Sequence, residues 1–242
     1  MNVSATAVRV LTQLRRDPRS LALVLLVPCV LEGLLKAMFA DEQQIFQKIG
    51  PPLLGLFPFI SMFLITSVTM LRERTSGTLE RLMTMPIRKL DLLGGYGLAF
   101  GLLAAVQAAI VSAVAFGLLG LNVVGPEWAV AALAVGNAVL GMALGLLVSA
   151  FATSEFQAVQ FMPAIVLPQL LLCGLFVSRA SMARWLQVVS AALPLTYAYD
   201  ALAKVAAGGP YGWRFVLDVA ITVGATLVAL VLAAATLKRR TP

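Results

Sequence analysis

The stretch RERTSGTLERLMTMP, residues 72–86, is a short polar segment between two long apolar runs. Five of its fifteen residues are charged, whereas only 12% of the whole chain is charged. The flanking runs, 52–71 and 92–121, each reach the length of about 20 helical residues that crosses a hydrocarbon layer of about 30 Å. The pattern predicts two membrane-spanning helices joined by a polar connection on one side of a membrane.

The composition indicates a membrane protein throughout. The chain has 242 residues, 60% of them hydrophobic, and a mean hydropathy of +0.94, which is more apolar surface than one soluble core of this length can bury. Six stretches can span a bilayer as helices: 20–40, 52–71, 92–121, 128–151, 156–177 and 213–237. In the fourth, Gly141 and Gly145 form a GxxxG step that favours close helix packing. We predict an all-α polytopic fold in which residues 1–242 form a single transmembrane domain.

Basic residues predict how the spans are oriented, because cytoplasmic loops are enriched in lysine and arginine. One side would hold twelve of them: Arg9, Arg15, Arg16, Arg19, Arg72, Arg74, Arg81, Arg88, Lys89, Lys238, Arg239 and Arg240. The other side would hold six: Lys36, Lys48, Arg179, Arg184, Lys204 and Arg214. We therefore expect both termini and the loop 72–91 in the cytoplasm, and the segment 178–212 outside.

Several function classes are excluded by residues that the chain lacks. It has no histidine, which excludes histidine acid–base catalysis, serine–histidine triads and histidine metal or haem sites. None of its five lysines completes a GxxxxGK[ST] motif, so any ATP must be hydrolysed by another chain. Cys29 and Cys173 lie in apolar runs and are expected to be buried hydrophobes. The basic excess fits loops beside spans better than a nucleic-acid-binding surface, and we expect no metal or cofactor on this chain.

Residues 1–19, ahead of the first span, contain an amphipathic pattern. An apolar face with Val8, Leu11 and Leu14 alternates with a polar face that holds Arg9, Gln13 and Arg16. This predicts a helix on the inner membrane surface, where anionic headgroups attract arginines. A frayed chain start is the alternative.

The external segment 178–212 is too long for a turn and too apolar for a solvated loop. Its apolar residues predict a short interfacial or re-entrant helix that ends near Pro194. These residues are Trp185, Leu186, Val188, Val189 and Leu193.

The opening stretch itself predicts a short amphipathic helix. Thr75 or Ser76 can cap its start, and Glu80 then lies in the first turn, where the helix dipole favours an acid. An apolar stripe at spacings of three and four follows, with Leu79, Leu82 and Met83, and the segment ends at Pro86. A short cytoplasmic helix has no core in which to bury such a stripe, so it needs a protein partner or the membrane surface.

These residues resemble the loop between spans 2 and 3 in the membrane subunits of ABC-2 type ATP-binding-cassette exporters, which include bacterial drug and antibiotic efflux permeases. That loop has an Arg-Glu pair, Gly-Thr-Leu-Glu, a leucine and Thr-Pro. The matching residues here are Arg72-Glu73-Arg74, Gly77-Thr78-Leu79-Glu80, Leu82 and Thr84-Met85-Pro86. Met85 and the pair Thr75-Ser76 depart from the family pattern. The stretch ALPLTYAYDAL, residues 192–202, is similar to the family's segment before span 6, so the resemblance covers nearly the whole chain.

The resemblance implies a coupling helix that docks on a cytoplasmic ATPase and passes its closure to the spans. The residues implied in that contact are Arg72, Glu73, Arg74, Gly77, Thr78, Leu79, Glu80, Leu82, Met83 and Pro86. It also implies two ATPase copies that bind the ATP and Mg, a second permease subunit of the same or a related sequence, and a bacterial plasma membrane. A solvated loop whose charges only fix the topology is the alternative.

Polar and adaptable side chains inside the spans are candidates for a substrate path. Glu32 and Asp218 are acids within spans, where an unpaired charge is costly. Each has a structural alternative, because Glu32 can pair with Lys36 and Asp218 with Arg214, one turn away. The other candidates are Gln107, Gln160, Phe161, Met162 and Gln169. Interhelical hydrogen bonds and ordinary packing are the alternatives for these.

The function that the resemblance implies is a permease subunit of an ABC exporter that moves an amphipathic drug, antibiotic or lipid-like molecule out of the cell. Export of a polysaccharide or lipid-linked glycan is the main alternative, which an aromatic content of 8% favours less. An ATP-independent secondary carrier would show inverted repeats and broken helices, and neither is evident in the sequence. A membrane scaffold without transport activity is a further alternative.

Overall fold

The computed structural model describes residues 3–78 and 89–236, and within these ranges every regular element is a helix. The helices are α1 (Val3–Arg15), α2 (Pro18–Met38), α3 (Gln43–Thr75), α4 (Lys89–Gly117), α5 (Glu127–Val148), α6 (Glu155–Leu172), α7 (Arg184–Ala192), α8 (Pro194–Ala206) and α9 (Trp213–Ala235). A 3-10 turn, Arg179–Ser181, lies between α6 and α7. The predicted all-α class is confirmed.

Six helices are long and apolar enough to cross a membrane: α2, α3, α4, α5, α6 and α9. This confirms the prediction of six spans. Successive spans run in opposite directions, so the bundle has two ends. We call the end that holds α1, the end of α3 and the start of α4 the α1 end. The opposite end holds the connections 39–42, 118–126 and 173–212.

The helices α3 and α5 form the centre of the bundle, and glycines allow them to approach closely. A Cβ added at Gly141 would overlap the Phe59 carbonyl oxygen, and one at Gly145 would overlap the Thr66 hydroxyl. Across the same contact, Thr66 Oγ1 donates a hydrogen bond to the Met142 carbonyl oxygen at 3.2 Å. The predicted GxxxG step is therefore a contact between two spans, because residues without a side chain let the two backbones meet.

The helix α3 extends beyond the predicted span 52–71 at both ends. It begins at Gln43 and continues through Pro51, Pro52 and Pro58. A proline pair usually marks the first turn of a helix, since a proline further along removes a backbone hydrogen bond. Inside a membrane bundle, neighbouring groups can satisfy the freed carbonyl oxygens, and all three prolines are buried here.

Two helices end earlier than the predicted spans, at turns that contain glycine. The helix α4 ends at Gly117 instead of residue 121, and Gly120 has a φ of 67°. The helix α6 ends at Leu172 instead of residue 177, and Gly174 has a φ of 110°. Glycine adopts a positive φ without strain, so these residues stop the helices where a side chain would disfavour the turn.

The segment after α6 contains two helices where the sequence predicted one. In α7, Trp185 and Val188 are each 68% exposed, so its apolar face is not buried by the bundle. The helix predicted to end near Pro194 is α7, which ends at Ala192, and the sequence did not predict α8, which has Pro194 in its first turn. Proline suits that position because the N–H that it lacks has no helical acceptor there. The helix α8 packs on α3, α5 and α9.

The helix α1 packs on the bundle through a face that coincides only in part with the predicted apolar face. Its buried residues are Thr6, Ala7, Val10 and Leu14. Val8, predicted on the apolar face, is 62% exposed, and Arg9, predicted to point away, is half-buried. The buried face packs on α4, where a Cβ at Gly95 would overlap Thr6. The bundle therefore covers the predicted apolar face at Leu14 and leaves Val8 uncovered, because contact with α4 decides which side chains are buried.

Candidate functional site

The first polar cluster lies at the α1 end, where α1, α3 and α4 meet. Arg9 Nη2 donates hydrogen bonds to Glu73 Oε2 at 3.3 Å and to the Tyr96 hydroxyl oxygen at 2.5 Å. The Arg9 guanidinium carbon also lies 5.8 Å from the centroid of the Tyr96 ring. Because the Glu73 side chain is only 3% exposed, the loss of Arg9 would leave a buried carboxylate without its counterion. This pair attaches the end of α3 to α1.

A second ion pair attaches the same end of α3 to α6. Arg72 Nε and Nη2 donate to Oε1 and Oε2 of Glu155 at 2.7 and 2.9 Å. Both side chains are about half exposed. A bidentate arginine–carboxylate pair fixes the orientation of its two groups. The last turn of α3 is therefore held from two sides, by α1 through Glu73 and by α6 through Arg72.

The predicted coupling motif continues directly from this turn. Ser76 is the C-cap of α3, and Gly77 has a φ of 72°, so the glycine ends the helix. Thr75, predicted to cap a helix start, lies in the last turn of α3, where its hydroxyl donates to the Leu71 carbonyl oxygen at 3.1 Å. The Ser76 and Thr78 hydroxyl oxygens are 3.0 Å apart. The other residues of the motif lie outside the described residues: Leu79, Glu80, Leu82, Met83 and Pro86.

Polar residues around the end of α3 enclose a cavity of about 430 Å³. It is lined by Gln13, Arg72, Glu73, Thr75, Ser76 and Thr78. Among the coupling residues here, Arg72 is exposed, Arg74 is half-buried and Glu73 is buried. Glu73 therefore holds the helical turn before the predicted coupling motif through its contact with Arg9, and its carboxylate is not exposed on the surface.

A second cavity, of about 300 Å³, lies between α2 and α3 and extends from the α1 end into the membrane. Leu23, Val27, Leu64 and Val68 are among its apolar lining residues, and Asp17 and Arg72 lie at its polar rim. The Asp17 carboxylate accepts hydrogen bonds from the Ser20 hydroxyl and amide, which hold its pKa below the usual range. The cavity thus combines charged groups at one end with an apolar lining, the two features that the polar and apolar parts of an amphipathic molecule require.

Within the membrane, Gln107 connects three spans. Pro28 lies inside α2 and has no N–H, so the Val24 carbonyl oxygen lacks its usual helical donor. Gln107 Nε2, on α4, donates to that oxygen and to Ser61 Oγ on α3, each at 2.6 Å. This is the interhelical alternative foreseen for Gln107.

Glu32 has no such partner. It is fully buried in α2, and neither carboxylate oxygen has a hydrogen-bond partner among the described residues. The ion pair with Lys36 is not formed, because the Lys36 ammonium lies 5.0 Å from the centroid of the Phe46 ring.

The other substrate-path candidates do not converge on one site. On α6, Gln160 is exposed and Phe161 and Met162 are half-buried against the bundle. Gln169 is buried, and its Nε2 donates to the Ile165 carbonyl oxygen at 3.2 Å. Asp218, on α9, pairs with Lys204 of α8. Arg214, the partner foreseen for Asp218, instead lies over the ring of Trp213.

Comparison with known proteins decides the family. The family model described as ABC-2 type transporter matches residues 1–206 of this chain, which include the polar turn and five of the six spans. The chain belongs to the ABC-2 type transporter family. This confirms the resemblance drawn from the motif after α3.

Two curated relatives show which ABC-2 type proteins the chain is similar to. ABC transporter G family member 20 of Dictyostelium discoideum is 27% identical over 157 residues, or 65% of this chain and 22% of the relative. The probable multidrug ABC transporter permease YbhR of Escherichia coli K12 is 26% identical over 153 residues, or 62% of this chain and 41% of the relative. The ABC-2 type chain thus aligns with less than half the length of either relative.

The structure also adds residues that the sequence did not indicate for this ABC-2 type protein. Glu155, Arg9 and Lys204 are the partners of predicted site residues, and each is distant in sequence from its partner or on another helix. At the opposite end, Arg179 Nη1 donates to Asp200 Oδ2 at 3.0 Å, beside a cavity of about 490 Å³. Burial raises the pKa of Asp200, while Arg179 acts against that rise. The two residues are 21 positions apart, Arg179 in the 3-10 turn and Asp200 in α8, and no sequence pattern indicated the pair.

Proposed function

We propose that this chain is the transmembrane permease subunit of an ABC exporter, and that a separate ATPase powers it. The observation that carries the proposal is the double attachment of the end of α3. Arg72 and Glu73 fix the last helical turn before the coupling motif to α6 and α1. A force applied to the motif would therefore reach three helices at once, as coupling requires. Family membership supports the same assignment.

The ATPase partner would dock on the segment that follows Gly77. Its apolar stripe, with Leu79, Leu82 and Met83, suits a cleft on another protein. Arg72, whose side chain is 57% exposed, lies five residues before Gly77. Two ATPase copies would bind ATP and Mg, and this chain, which has no phosphate-binding loop in its sequence, would not hydrolyse ATP itself.

A second permease subunit would pair with this one along α6. Exposed residues recur along one side of α6, with Phe156, Gln160, Leu167 and Leu171 among them. Gln160 is a polar amide on an otherwise apolar surface, and a lipid environment offers it no hydrogen-bond partner. A partner permease would cover this face and supply one.

The orientation proposed from the basic residues places the α1 end in the cytoplasm of a bacterial cell. Three exposed tryptophans, Trp128, Trp185 and Trp213, lie near the opposite end, where they would anchor the bundle at the other membrane surface. The arginines of α1 and of the α3 end would then face the anionic inner surface.

The substrate we propose is an amphipathic molecule, drug-like or lipid-like, taken from the inner leaflet. The cavity between α2 and α3 supports this class, because its apolar lining reaches the membrane interior and its rim holds Asp17 and Arg72. Glu32 would act further along the same helix, and Asp218 and the α6 candidates would have secondary or structural roles.

Inside-out membrane vesicles that contain this chain and its ATPase test the proposal. Addition of MgATP should drive accumulation of tetraphenylphosphonium or a fluorescent phospholipid. Vesicles whose ATPase carries a substituted phosphate-binding lysine should not accumulate either probe. Accumulation driven by a proton gradient without ATP would contradict the ABC exporter and indicate a secondary carrier.

A further inference from the structure

The carboxyl group of Glu32 is buried in an apolar environment with no counterion. The helix α2 packs on α1, α3 and α4, and its buried residues form the stripe Val24, Pro28 and Glu32. Beside Glu32, Cys29 and Leu35 pack against a cluster that includes Leu54 of α3 and Val111 and Ala115 of α4. The residues that flank Glu32 on its own helix therefore pack among apolar side chains.

The depth of Glu32 follows from the hydrogen bonds of Gln107. Val24 of α2 and Ser61 of α3 bind the same amide nitrogen, so these residues lie at the same level. Glu32 is eight residues beyond Val24, or about 12 Å further from the α1 end. Glu32 therefore lies in the half of the bundle next to the opposite end, away from the charged α1 end.

Among the described residues, no charged or titratable group on the elements packed against Glu32 pairs with its carboxyl. Those whose side chains the structure describes, on α1, α3 and α4 and on α2 itself, are Arg9, Arg15, Arg19, Cys29, Lys36, Lys48, Arg72, Glu73, Arg74, Asp91 and Tyr96. None of those that the structure describes forms an ion pair or hydrogen bond with Glu32. Cys29 Sγ donates to the Leu25 carbonyl oxygen, and Lys36 lies over Phe46. An ionised carboxylate in this position would be uncompensated, so the packed state requires a neutral carboxyl.

The cavity between α2 and α3 ends close to this group. Val24 and Val27 line the cavity, and Glu32 follows Val27 by five residues on the same helix. Pro28 lies between them and interrupts the backbone hydrogen bonds of α2, so this helix can bend there more easily than elsewhere. Glu32 itself does not line the cavity, so a ligand there would reach the carboxyl through a bend of α2 at Pro28.

We infer that Glu32 carries a proton in this conformation and exchanges it for a cationic amphiphile that enters between α2 and α3. The exchange is balanced: the neutral acid and a free cation become a carboxylate–cation pair and one released proton. The cation supplies the counterion that the protein lacks, which is why the carboxyl can ionise only when the cation arrives. The nature of the ligand in this inference rests on the proposed function. The protonation of Glu32 does not depend on the proposed function.

Reaction with N,N′-dicyclohexylcarbodiimide tests the inference in the full chain with its partner ATPase in membranes. This apolar reagent adds to protonated carboxyl groups and leaves a stable acylurea that peptide mass spectrometry locates. We expect an adduct on Glu32, and none on Glu73 or Asp218, which are buried but paired with Arg9 and Lys204. Glu32→Asp should keep the adduct and Glu32→Gln should lose it.

The exchange is tested by adding tetraphenylphosphonium before the reagent, with neutral triphenylphosphine oxide as the control. The cation should reduce the Glu32 adduct several-fold, and the neutral compound should not. A pH indicator in weak buffer should report proton release on cation binding by the unmodified chain and none by Glu32→Gln. Absence of a Glu32 adduct, or an adduct that the cation does not reduce, would overturn the inference.

Failure of this inference differs from failure of the proposed function. Labelling and proton release need no ATP, so they can succeed in a protein that exports nothing. ATP-driven accumulation of the phospholipid probe, together with the absence of a Glu32 adduct, would support the exporter function and contradict the proton site. If Glu32→Gln does not fold, labelling of the unmodified chain with and without the cation still decides the result.

Discussion

Arg72 and Glu155 form a bidentate ion pair that joins the last turn of α3 to the first turn of α6. The two residues are 83 positions apart in the chain, and both are about half exposed. An exposed pair of this kind contributes at most about 1 kcal/mol to stability. Its consequence is mainly geometric, because it fixes how the segment before the coupling motif is oriented relative to α6.

Reversal of one charge in this pair should impair coupling while leaving the fold intact. We expect Glu155→Arg to lower substrate-stimulated ATPase activity of the complex several-fold, because like charges separate α3 from α6. Thermal unfolding should change little. The double variant Arg72→Glu, Glu155→Arg should recover part of the activity. No recovery in the double variant would show that the two residues act independently.

Removal of Arg9 should have a larger effect on stability. Arg9→Ala leaves the buried Glu73 carboxylate without its counterion, and such a loss costs about 3–5 kcal/mol in a buried pair. The unfolding midpoint in detergent should therefore fall by several degrees. Arg15→Ala is the matched control, because Arg15 is exposed on the same helix. Equal midpoints for the two variants would contradict the buried pair.

The close contact between α3 and α5 predicts different outcomes for two glycines of one helix. Gly141→Leu should prevent stable folding, since its Cβ alone would overlap the Phe59 carbonyl oxygen. Gly136→Leu should be tolerated, because a Cβ there meets nothing within 4 Å. Monodispersity in gel filtration separates the two outcomes. A monodisperse Gly141→Leu protein would refute the packing described for α3 and α5.

The proposed orientation can be tested with introduced cysteines in a chain whose Cys29 and Cys173 are replaced by serine. An impermeant thiol reagent outside intact cells should label Gln43→Cys and Ser181→Cys, which are exposed at the opposite end. It should not label Ser76→Cys, which is exposed at the α1 end. Labelling of Ser76→Cys in intact cells would show that the α1 end is outside the cell, which is the opposite of the proposed orientation.

The sequence predicted what depends on local pattern. Six apolar runs indicated six spans, and the glycines of the fourth indicated a helix contact. It did not predict the partners of Glu73 and Asp218, because Arg9 and Lys204 meet them only through the tertiary fold. It also misplaced the start of α3, since Pro51 and Pro52 are compatible with helix once neighbouring spans surround them. It predicted the end of α7 near Pro194 but not the start of α8 at that residue, because a proline marks a helix start as readily as an end.

The site was predictable to a smaller extent. The predicted coupling motif could be recognised in the sequence. The two ion pairs that hold the helix before it, Arg9–Glu73 and Arg72–Glu155, could be seen only in the structure. For Glu32 the sequence left two interpretations open, an ion pair with Lys36 or a substrate role. The position of Lys36 over Phe46 removes the ion pair from this structure.

The central claim, that the segment after Gly77 binds an ATPase, is tested most directly by co-purification from native membranes. The unmodified chain should recover an ATP-binding-cassette ATPase in stoichiometric amount. Leu82→Asp should insert normally and lose most of that ATPase, because the apolar stripe would then bring an unpaired charge into a protein contact. Leu118→Asp, the same change at a residue that is 80% exposed at the opposite end, should keep it. Unchanged ATPase recovery with Leu82→Asp, at matched expression, would contradict the account.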